Sequence, residues 1–283
     1  MKELAGRVAV VTGAASGIGL TMAEAFAREG MSLVLADIES EPLAMAIAAL
    51  ERAGATTLAV RTDVMRAEDV ERLADLAFAA FGNVHVVCNN AGVAGKYSMG
   101  VPGWEIPLNE WEWVFGVNFM GVLHGVRAFV PRMLAAGDEG HIVNTASVAG
   151  LLPSASPYHV SKHGVVCLTE GIFKDFRSRG LPLSASVLCP GWITTNLMDS
   201  ERNRPAEFGV PAETSALSPQ GQVAFEAVKQ FIVDGIPPAE VAAQVVEAIR
   251  EDRFYVIPAQ PNIAALVDDR LDRLRRRDNP ATA

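Results

Sequence analysis

The chain has 283 residues, half of them hydrophobic and one-fifth charged, which is the composition of a globular protein with a substantial buried core. Its formal net charge of −9 argues against nucleic acid and anionic membrane surfaces as partners, because both are bound through basic surfaces. No stretch of about 18 consecutive apolar residues is evident, and a strand-like run begins by Val8, so we expect neither a membrane span nor a secretory signal and predict a cytoplasmic protein.

Short apolar runs alternate with helical patterns along the chain. The runs lack the apolar–polar alternation of half-exposed strands, which indicates strands buried on both faces. Strands that alternate with crossover helices form a parallel sheet. We therefore predict a single α/β domain over residues 1–283, a Rossmann-type doubly wound fold with a seven-stranded parallel sheet flanked by helices. The strand runs include 8–11, 33–36, 84–87, 141–144, 184–188 and 254–257, and helical patterns cover 18–29, 44–52 and 70–81.

Two segments interrupt this alternation. Residues 193–236 contain no strand pattern but several prolines, which predicts an active-site lid or, as the alternative, a surface insertion without a role. Residues 260–280 have apolar positions at helical spacing and include Arg275-Arg276-Arg277. Basic residues in a last turn complement the helix dipole, so we predict a C-terminal helical tail rather than a basic binding patch.

The three cysteines, Cys88, Cys167 and Cys189, lie far apart in apolar stretches. Their spacing fits neither a disulfide framework nor a metal site. We therefore expect three buried free thiols and no bound metal.

A glycine-rich turn, Thr12-Gly13-Ala14-Ala15-Ser16-Gly17-Ile18-Gly19, connects the first predicted strand to the first helix. Glycine permits positive φ angles and close approach of the backbone, and free N–H groups at a helix N-terminus attract a pyrophosphate. Asp37 ends the second strand, where a carboxylate can accept hydrogen bonds from both hydroxyls of an adenosine ribose. It also repels a 2′-phosphate, and neither Ser16 nor Ile38 offers a basic side chain to neutralise one. The pattern predicts NAD rather than NADP.

Tyr158 and Lys162 are four residues apart on a predicted helix, so their side chains share one face. Ser156-Pro157 suits the cap and first position of that helix. A neighbouring ammonium, together with an oxidised nicotinamide, lowers the pKa of a phenol from its usual value of about 10, which makes Tyr158 a candidate proton-transfer group. Ser147 follows the fifth strand, at the sheet edge where doubly wound folds bind ligands. The alternatives are an ordinary helix-face contact for the Tyr–Lys pair and a turn cap for Ser147.

The glycine spacing and the Tyr158-x-x-x-Lys162 pair belong to a longer series of matches. The sequence resembles the short-chain dehydrogenase/reductase family, in its compact single-domain branch, from about Val8 to Gly191. The 11 residues from Ser147 to Tyr158 are fewer than in many members, which alters the loop on the substrate side. The other matching motifs are Asp63-Val64, Asn89-Asn90-Ala91-Gly92, Asn118, Ser147 and Pro190-Gly191 with Thr195.

The resemblance implies roles for the matching residues. Tyr158 would be the general acid/base, Lys162 would also bind the nicotinamide ribose, and Asn118 would hold a water molecule that links Lys162 to bulk solvent. For Asn118 the alternative is a buried amide bonded to backbone, and its water-holding role requires a distorted helix. Asn89 is expected to tie strands together. The expected catalytic residues are Asn118, Ser147, Tyr158 and Lys162, and the expected cofactor-binding residues are Gly13, Ser16, Gly17, Ile18, Gly19, Asp37, Ile38, Asp63, Val64, Asn90, Ala91, Gly92, Tyr158, Lys162, Pro190, Gly191, Ile193 and Thr195.

The segment from Trp111 to Leu134 is apolar nearly all round, and such a helix needs cover on two sides. In the family that the sequence resembles, the matching helix and the helix with the Tyr–Lys pair pack against symmetry mates. We therefore expect a homodimer or homotetramer.

The substrate pocket is expected to comprise residues 93–104, residues 151–156, Trp192 and the lid, most of them apolar or aromatic. We predict an NAD-dependent oxidoreductase that interconverts a secondary alcohol and a ketone, with an uncharged, bulky aromatic or alicyclic substrate. The lid segment 200–205 loosely resembles bacterial benzylic-alcohol (Cα) dehydrogenases, while Arg202 or Arg204 binding a substrate carboxylate is an open alternative. Two other classes share this fold: a non-catalytic NAD-sensing regulator, and an epimerase or dehydratase of the same family.

Overall fold

Parallel strands at the centre of the molecule form one sheet. The computed structural model describes residues 1–96, 101–209, 219–260 and 263–281. The strands within these ranges are β1 (Val8–Thr12), β2 (Ser32–Asp37), β3 (Thr57–Arg61), β4 (Val86–Asn89), β5 (Gly140–Thr145), β6 (Leu183–Leu188) and β7 (Tyr255–Val256). They pair in the order β3-β2-β1-β4-β5-β6-β7, which confirms the predicted seven-stranded parallel sheet. The strand order reverses between β1 and β4, and ligands of doubly wound folds bind beyond the carboxyl ends of strands at such a point.

The helices begin slightly before their apolar patterns. The patterns at 44–52 and 70–81 omit the first turns of the second and third helices, which start at Ser40 and Ala67. Those turns carry acidic residues instead of apolar ones, because a negative charge is favourable at a helix N-terminus. The described helices are α1 (Gly17–Arg28), α2 (Ser40–Arg52), α3 (Ala67–Phe81), α4 (Leu108–Phe115), α5 (Gly121–Ala136), α6 (Pro157–Ser178), α7 (Pro219–Val233), α8 (Pro238–Glu251) and α9 (Ile263–Arg276).

Helices cover both faces of the sheet with separate apolar layers. On one face Phe26 of α1 and Ile249 of α8 have no exposed surface. On the other face the same holds for Leu73 of α3 and Phe129 of α5. Truncating a side chain buried in this way to alanine costs about 2–5 kcal/mol, so both layers hold the strand ends firmly.

The segment 193–236 starts and ends at neighbouring points on the molecule. Ile193 and Ile236 form a parallel bridge, and the Thr194 N–H donates to the Ile236 carbonyl over 3.2 Å. Between them the described residues form two short 3₁₀ segments, Leu197–Asn203 and Ala206–Phe208, followed by α7. The described residues of this segment, called the lid below, are therefore largely helical, and its two ends are bonded to each other.

The C-terminal segment is helical, as its apolar spacing predicts. Its basic residues pair with acidic residues of the same segment: Arg273 with Asp269, Arg275 with Asp272 and Arg276 with Asp278. These pairs agree with the expectation of a helix end rather than a binding patch. The Arg270 guanidinium also donates to the Leu151 carbonyl over 2.5 Å, which attaches α9 to the substrate side of the fold.

The prediction of three buried thiols is wrong for Cys167. Cys88 and Cys189 are buried strand-end residues, whereas Cys167 is exposed on α6. Val165, Val166 and Thr169 turn the inward face of that helix to the core. An apolar neighbourhood in sequence does not distinguish the two faces of a helix, and Cys167 lies on the outer one.

A helical stretch does have the length and composition to cross a membrane, contrary to the sequence-based expectation. It is the continuous segment Leu108–Ala136 of 29 residues, which contains an 18-residue window with a mean hydropathy of 1.3, and 44% of that window is buried inside the fold. Trp113 and Phe129 within it have no exposed surface and pack into the α/β core. We interpret it as a helix of this fold, because a core helix meets the same criteria as a membrane span.

Candidate active site

The turn between β1 and α1 requires glycine at three positions. Gly13 and Gly17 have φ angles of +65° and +56°, which side-chain-bearing residues rarely adopt. A Cβ on Gly19 would overlap the Gly13 carbonyl oxygen, and one on Gly13 would lie 2.8 Å from the Ala91 Cα. The Asn90 amide donates to the Thr12 carbonyl over 3.0 Å and joins the loops after β1 and β4. Backbone thus forms a narrow cradle at the start of α1, where a phosphate fits.

Asp37 at the end of β2 is held against this turn. Its carboxylate accepts hydrogen bonds from the Ala15 N–H over 2.9 Å and from the Glu39 N–H over 3.0 Å. Burial raises the pKa of Asp37, and the backbone hydrogen bonds oppose this effect. A carboxylate therefore faces the cleft at the position that the sequence predicts for the adenosine ribose.

A continuous cleft runs from Asp37 to Lys162 along the carboxyl ends of the strands. Three predicted cofactor residues lie outside its lining: Gly19 packs beneath the turn, whereas Gly191 and Ile193 line the neighbouring cavity. Asp63 lies at the cleft, and its carboxylate accepts a hydrogen bond from the Met65 N–H over 3.0 Å. The predicted residues that line the cleft are Gly13, Ser16, Gly17, Ile18, Asp37, Ile38, Asp63, Val64, Asn90, Ala91, Gly92, Tyr158, Lys162, Pro190 and Thr195.

Tyr158 and Lys162 lie on the first turns of α6. The helix starts as expected, with Pro157 in its first turn and the Ser156 side chain capping the His159 N–H. The Lys162 ammonium lies 5.9 Å from the centre of the Tyr158 ring and donates to the Thr145 carbonyl over 2.8 Å. The two side chains therefore lie on the same face of α6, as predicted.

In the chain by itself the pKa of Tyr158 is raised, and the lowering expected from Lys162 together with an oxidised nicotinamide stays a prediction. Burial raises the pKa of the phenol above its usual value, and the Ser147 hydroxyl opposes this only in part. Burial also lowers the pKa of Lys162, to about 8. Desolvation disfavours both charged forms, and it outweighs the attraction between them that the sequence suggests.

Ser147 caps a turn and also lies at the cavity beside Tyr158, and its substrate-holding role stays a prediction. Its hydroxyl accepts from the Ala149 N–H over 3.1 Å, which caps the short 3₁₀ segment Val148–Leu151, and it donates to the Pro190 carbonyl over 3.2 Å. The same residue lines a cavity together with Tyr158. The turn cap therefore also holds the hydroxyl at the substrate side.

Asn118 lies in a π-helical turn, Gly116–Met120, between α4 and α5. This is the helix distortion that a water-holding role requires. The side-chain amide, however, accepts from the Val93 N–H over 2.9 Å and donates to the Val93 carbonyl over 3.0 Å. The backbone-bonded alternative is thus present in the structure. A Cβ added to Gly92 would lie 3.3 Å from both the Asn118 Oδ1 and the Lys162 Nζ, so the two groups flank that glycine.

Asn89 does tie two strands together: its side-chain amide donates to the Asn144 Oδ1 over 2.8 Å. This contact joins β4 to β5 directly below the loop that carries Asn90. The strand-pairing role expected of Asn89 is therefore confirmed.

A second, mostly apolar cavity meets the cleft at Tyr158. The expected pocket residues Leu152 and Trp192 line it, but Trp104 does not and is 86% exposed. The expected residues 97–100 lie outside the described residues. His159 and helix α9 also form part of the cavity wall, which the sequence did not predict. The helical spacing of apolar residues in α9 was the available signal, because an apolar helix face has to pack against other residues. The wall residues contributed by the lid and by α9 are Leu197, Met198, Val228, Ile232, Ile263 and Leu266.

The two lid arginines are engaged within the protein. The Arg202 guanidinium donates to both carboxylate oxygens of Glu39, over 3.0 Å and 2.7 Å. Arg204 is 5% exposed, pairs with Glu110 and Glu201, and lies over the Trp113 ring. These contacts argue against the alternative in which either arginine holds a substrate carboxylate, and they show that the lid also covers the Asp37 end of the cleft.

A family model described as short chain dehydrogenase matches residues 7–206. The chain belongs to the short-chain dehydrogenase/reductase family. The match spans the glycine turn, Asp37 and the Tyr158–Lys162 pair, so the structural features above are those of a family of oxidoreductases.

Similar proteins in the family cover nearly all of this chain. The 1-deoxy-11-beta-hydroxypentalenate dehydrogenase of Streptomyces exfoliatus is 38% identical over 252 residues, 88% of this chain and 82% of that protein. The C alpha-dehydrogenase of a Sphingobium species is 32% identical over 260 residues, 91% of this chain and 82% of that protein. The crystal structure of a short-chain dehydrogenase/reductase from Burkholderia phymatum in complex with NAD matches with a TM-score of 0.93 and 44% identity, covering 100% of this chain and 99% of that one. The similarity to a Cα-dehydrogenase that the lid suggested therefore extends over most of the chain.

Proposed function

We propose that this protein is an NAD-dependent dehydrogenase/reductase that interconverts a secondary alcohol and a ketone, with Tyr158 as the general acid/base. The observation that carries the proposal is the position of Tyr158, which lines both the cofactor-shaped cleft and the apolar cavity. A proton-transfer group at this junction can reach a substrate oxygen while the reacting carbon faces the cleft.

The cleft residues fit a dinucleotide. Gly13, Gly17 and the start of α1 would bind the pyrophosphate, and Asp37 would accept hydrogen bonds from the adenosine ribose. Such a carboxylate favours NAD over NADP, and the complex of the Burkholderia phymatum relative with NAD supports this choice. The bound nicotinamide supplies or accepts the hydride.

The side chains around Tyr158 divide the remaining work. Ser147 is placed to orient the substrate oxygen, and Lys162 would bind the ribose and favour the phenolate through its charge. Burial holds Tyr158 protonated in the chain alone, so a positive charge in the cleft has to lower the pKa of Tyr158 before it can accept the proton of an alcohol. Asn118, with Lys162 on the other side of Gly92, is proposed to support proton exchange with solvent.

The cavity favours an uncharged, bulky substrate. Its volume is about 270 Å³, and its described lining contains no Lys, Arg, Asp or Glu. Both lid arginines already have carboxylate partners. An aromatic or alicyclic alcohol would bury its ring against Leu152, Trp192 and Ile232.

The test is Tyr158→Phe, which removes only the phenolic hydroxyl. We expect turnover to fall by about 10²–10⁴-fold while NADH still binds, because hydride transfer loses its proton partner but the cleft is unchanged. Tyr255→Phe is the matched control, since that hydroxyl is bonded to Glu170 outside both cavities. NADH formation is measured by absorbance with benzylic, alicyclic, steroidal, polyol and 3-hydroxyacyl alcohols. Normal turnover by the Tyr158 variant would end the proposed mechanism.

The same assay separates the other classes. A dehydrogenase accumulates NADH with an alcohol substrate, an epimerase gives no net change, and an NAD-sensing regulator binds NADH without turnover.

We also propose a cytoplasmic homodimer or homotetramer. Phe115 at the end of α4 is only partly buried and Met120 in the following π-helical turn is exposed, which supports an interface there. Light scattering of the purified protein tests the oligomeric state, and a monomer at assay concentration would refute it.

A further inference from the structure

His159 is the polar side chain of the apolar cavity that the mechanism above does not use. It follows Tyr158 on α6, and the two rings meet edge to face with their centres 6.1 Å apart. Its Nδ1 shares a hydrogen bond with the Ser156 hydroxyl over 2.8 Å. Within the described part of the chain, its Nε2 has no hydrogen-bond partner.

The His159 ring is held in one orientation. Ser156 is buried, and its hydroxyl contacts both the backbone N–H and the Nδ1 of His159. The Tyr158 ring packs against the imidazole from a second direction. A ring fixed by these contacts aims its remaining nitrogen at a defined position, as in catalytic and metal-binding histidines whose other ring nitrogen is held by a hydrogen bond.

The hydrogen bond to Ser156 lets Nε2 act in either sense. When the Ser156 hydroxyl donates to Nδ1, the Nε2 carries the proton and donates. When the Nδ1–H donates to the Ser156 oxygen, the Nε2 accepts. His159 can therefore pair with a carbonyl or ether oxygen as well as with a hydroxyl group.

The surroundings exclude a charged partner. Burial lowers the pKa of His159, so the ring is neutral near neutral pH. Apart from His159 itself, no acidic or basic side chain lines the described part of the cavity. A carboxylate or ammonium placed there would lose its hydration without a counter-charge, whereas a neutral oxygen needs only one hydrogen bond.

We propose that His159 is a substrate-specificity residue whose Nε2 binds a second, neutral oxygen of the substrate, a hydroxyl, ketone or ether group on an otherwise apolar ring system. The proposal rests on the proposed function, because Tyr158 must hold the first oxygen. Since the two side chains are adjacent, the second oxygen lies on the reacting ring or on a ring fused to it.

The experiment compares substrates with one oxygen and with two. Wild type, His159→Phe and His159→Gln are assayed with NAD on cyclohexanol and on the positional isomers of cyclohexanediol. We expect His159→Phe to lower kcat/KM by about tenfold for at least one diol, mainly through KM, and to leave cyclohexanol within about twofold. His159→Gln keeps a donor and an acceptor and should retain part of the preference.

His163→Gln is the matched control. This histidine lies one turn further along α6, is exposed, and bonds the Gly150 carbonyl outside the cavity. It should change no diol-to-cyclohexanol ratio. An equal loss for cyclohexanol and every diol in His159→Phe, or no loss for any, overturns the proposal.

Calorimetric titration of the protein–NADH complex with each diol gives the same comparison without turnover. Suppose that diol binding weakens in His159→Phe but the enzyme oxidises none of these alcohols. That result contradicts the proposed function and supports the His159 site. Diol binding that is equal in wild type and His159→Phe contradicts the site itself.

Discussion

Under the proposed function, we expect the choice between NAD and NADP to depend on three charges at the Asp37 end of the cleft, of which the local sequence motif contains only one. Asp37 lies in the cleft, and Glu39 beside it holds Arg202 of the lid through two hydrogen bonds. Hydrogen bonding to Arg202 lowers the pKa of Glu39, so this carboxylate is charged at neutral pH. The lid thus brings the Arg202 guanidinium close to the position expected for a 2′-phosphate. In the structure this guanidinium is already paired with the Glu39 carboxylate. The double substitution Asp37→Ser/Glu39→Gln removes both anions and frees Arg202.

The expected change follows from these contacts. A hydrogen bond to a charged group contributes about 1.5–3 kcal/mol, or about 10–150-fold in binding. Arg202 and Glu39 are 35% and 21% exposed at their side chains, so solvent screening favours the lower value. Taking about tenfold for the released arginine and about tenfold for the removed Asp37 repulsion, the ratio of kcat/KM for NADPH to that for NADH should rise about 100-fold.

Initial rates with both reduced cofactors and a saturating ketone measure this ratio. Adding Arg202→Met to the double variant should remove most of the gain, and added salt should reduce it because the contact is partly exposed. If the double variant keeps the wild-type ratio, the charge argument is refuted. If the gain survives Arg202→Met, another group binds the phosphate.

Two predictions concern stability. Arg204→Met removes the guanidinium beside the buried Glu110 carboxylate and should lower the free energy of unfolding by about 3 kcal/mol in urea titrations. The double variant Arg204→Met/Glu110→Gln should recover part of this loss, because it also removes the unpaired carboxylate. A double variant no more stable than the single one contradicts the ion-pair argument. Burial lowers the pKa of His141 from 6.5 to about 3. Between these two pH values the unfolded chain therefore binds one more proton at this residue than the folded chain does. The free energy of unfolding should fall with falling pH by about 1.4 kcal/mol per pH unit in this range. His141→Gln should make the measured pH slope shallower by that amount between pH 6 and about 4, and an unchanged slope would show that His141 titrates normally.

Short-range patterns were enough to predict most of the fold and the shared helix face of Tyr158 and Lys162. The turn from Gly13 to Gly19 and the spacing of Tyr158 and Lys162 lie within one or two turns of chain, where backbone geometry alone decides which groups are neighbours. Buried parallel strands likewise show as continuous apolar runs, so the seven-stranded sheet could be predicted without any knowledge of packing.

Local sequence patterns do not show how deeply a side chain is buried or which distant residue it pairs with. The direction of the Tyr158 pKa depends on desolvation by the whole domain, and the exposure of Cys167 depends on which face α6 turns to the core. Arg202 reaches Glu39 across 163 residues of sequence, although each residue is visible as a charge.

The sequence by itself was enough to predict the fold class, the glycine-rich turn and the shared helix face of Tyr158 and Lys162, because each of these depends on residues close together in the chain. Only the tertiary structure decided which residues line the cleft and the neighbouring apolar cavity. The lid and α9 come from distant parts of the chain, and their contacts exist only once the sheet has brought the carboxyl ends of its strands together.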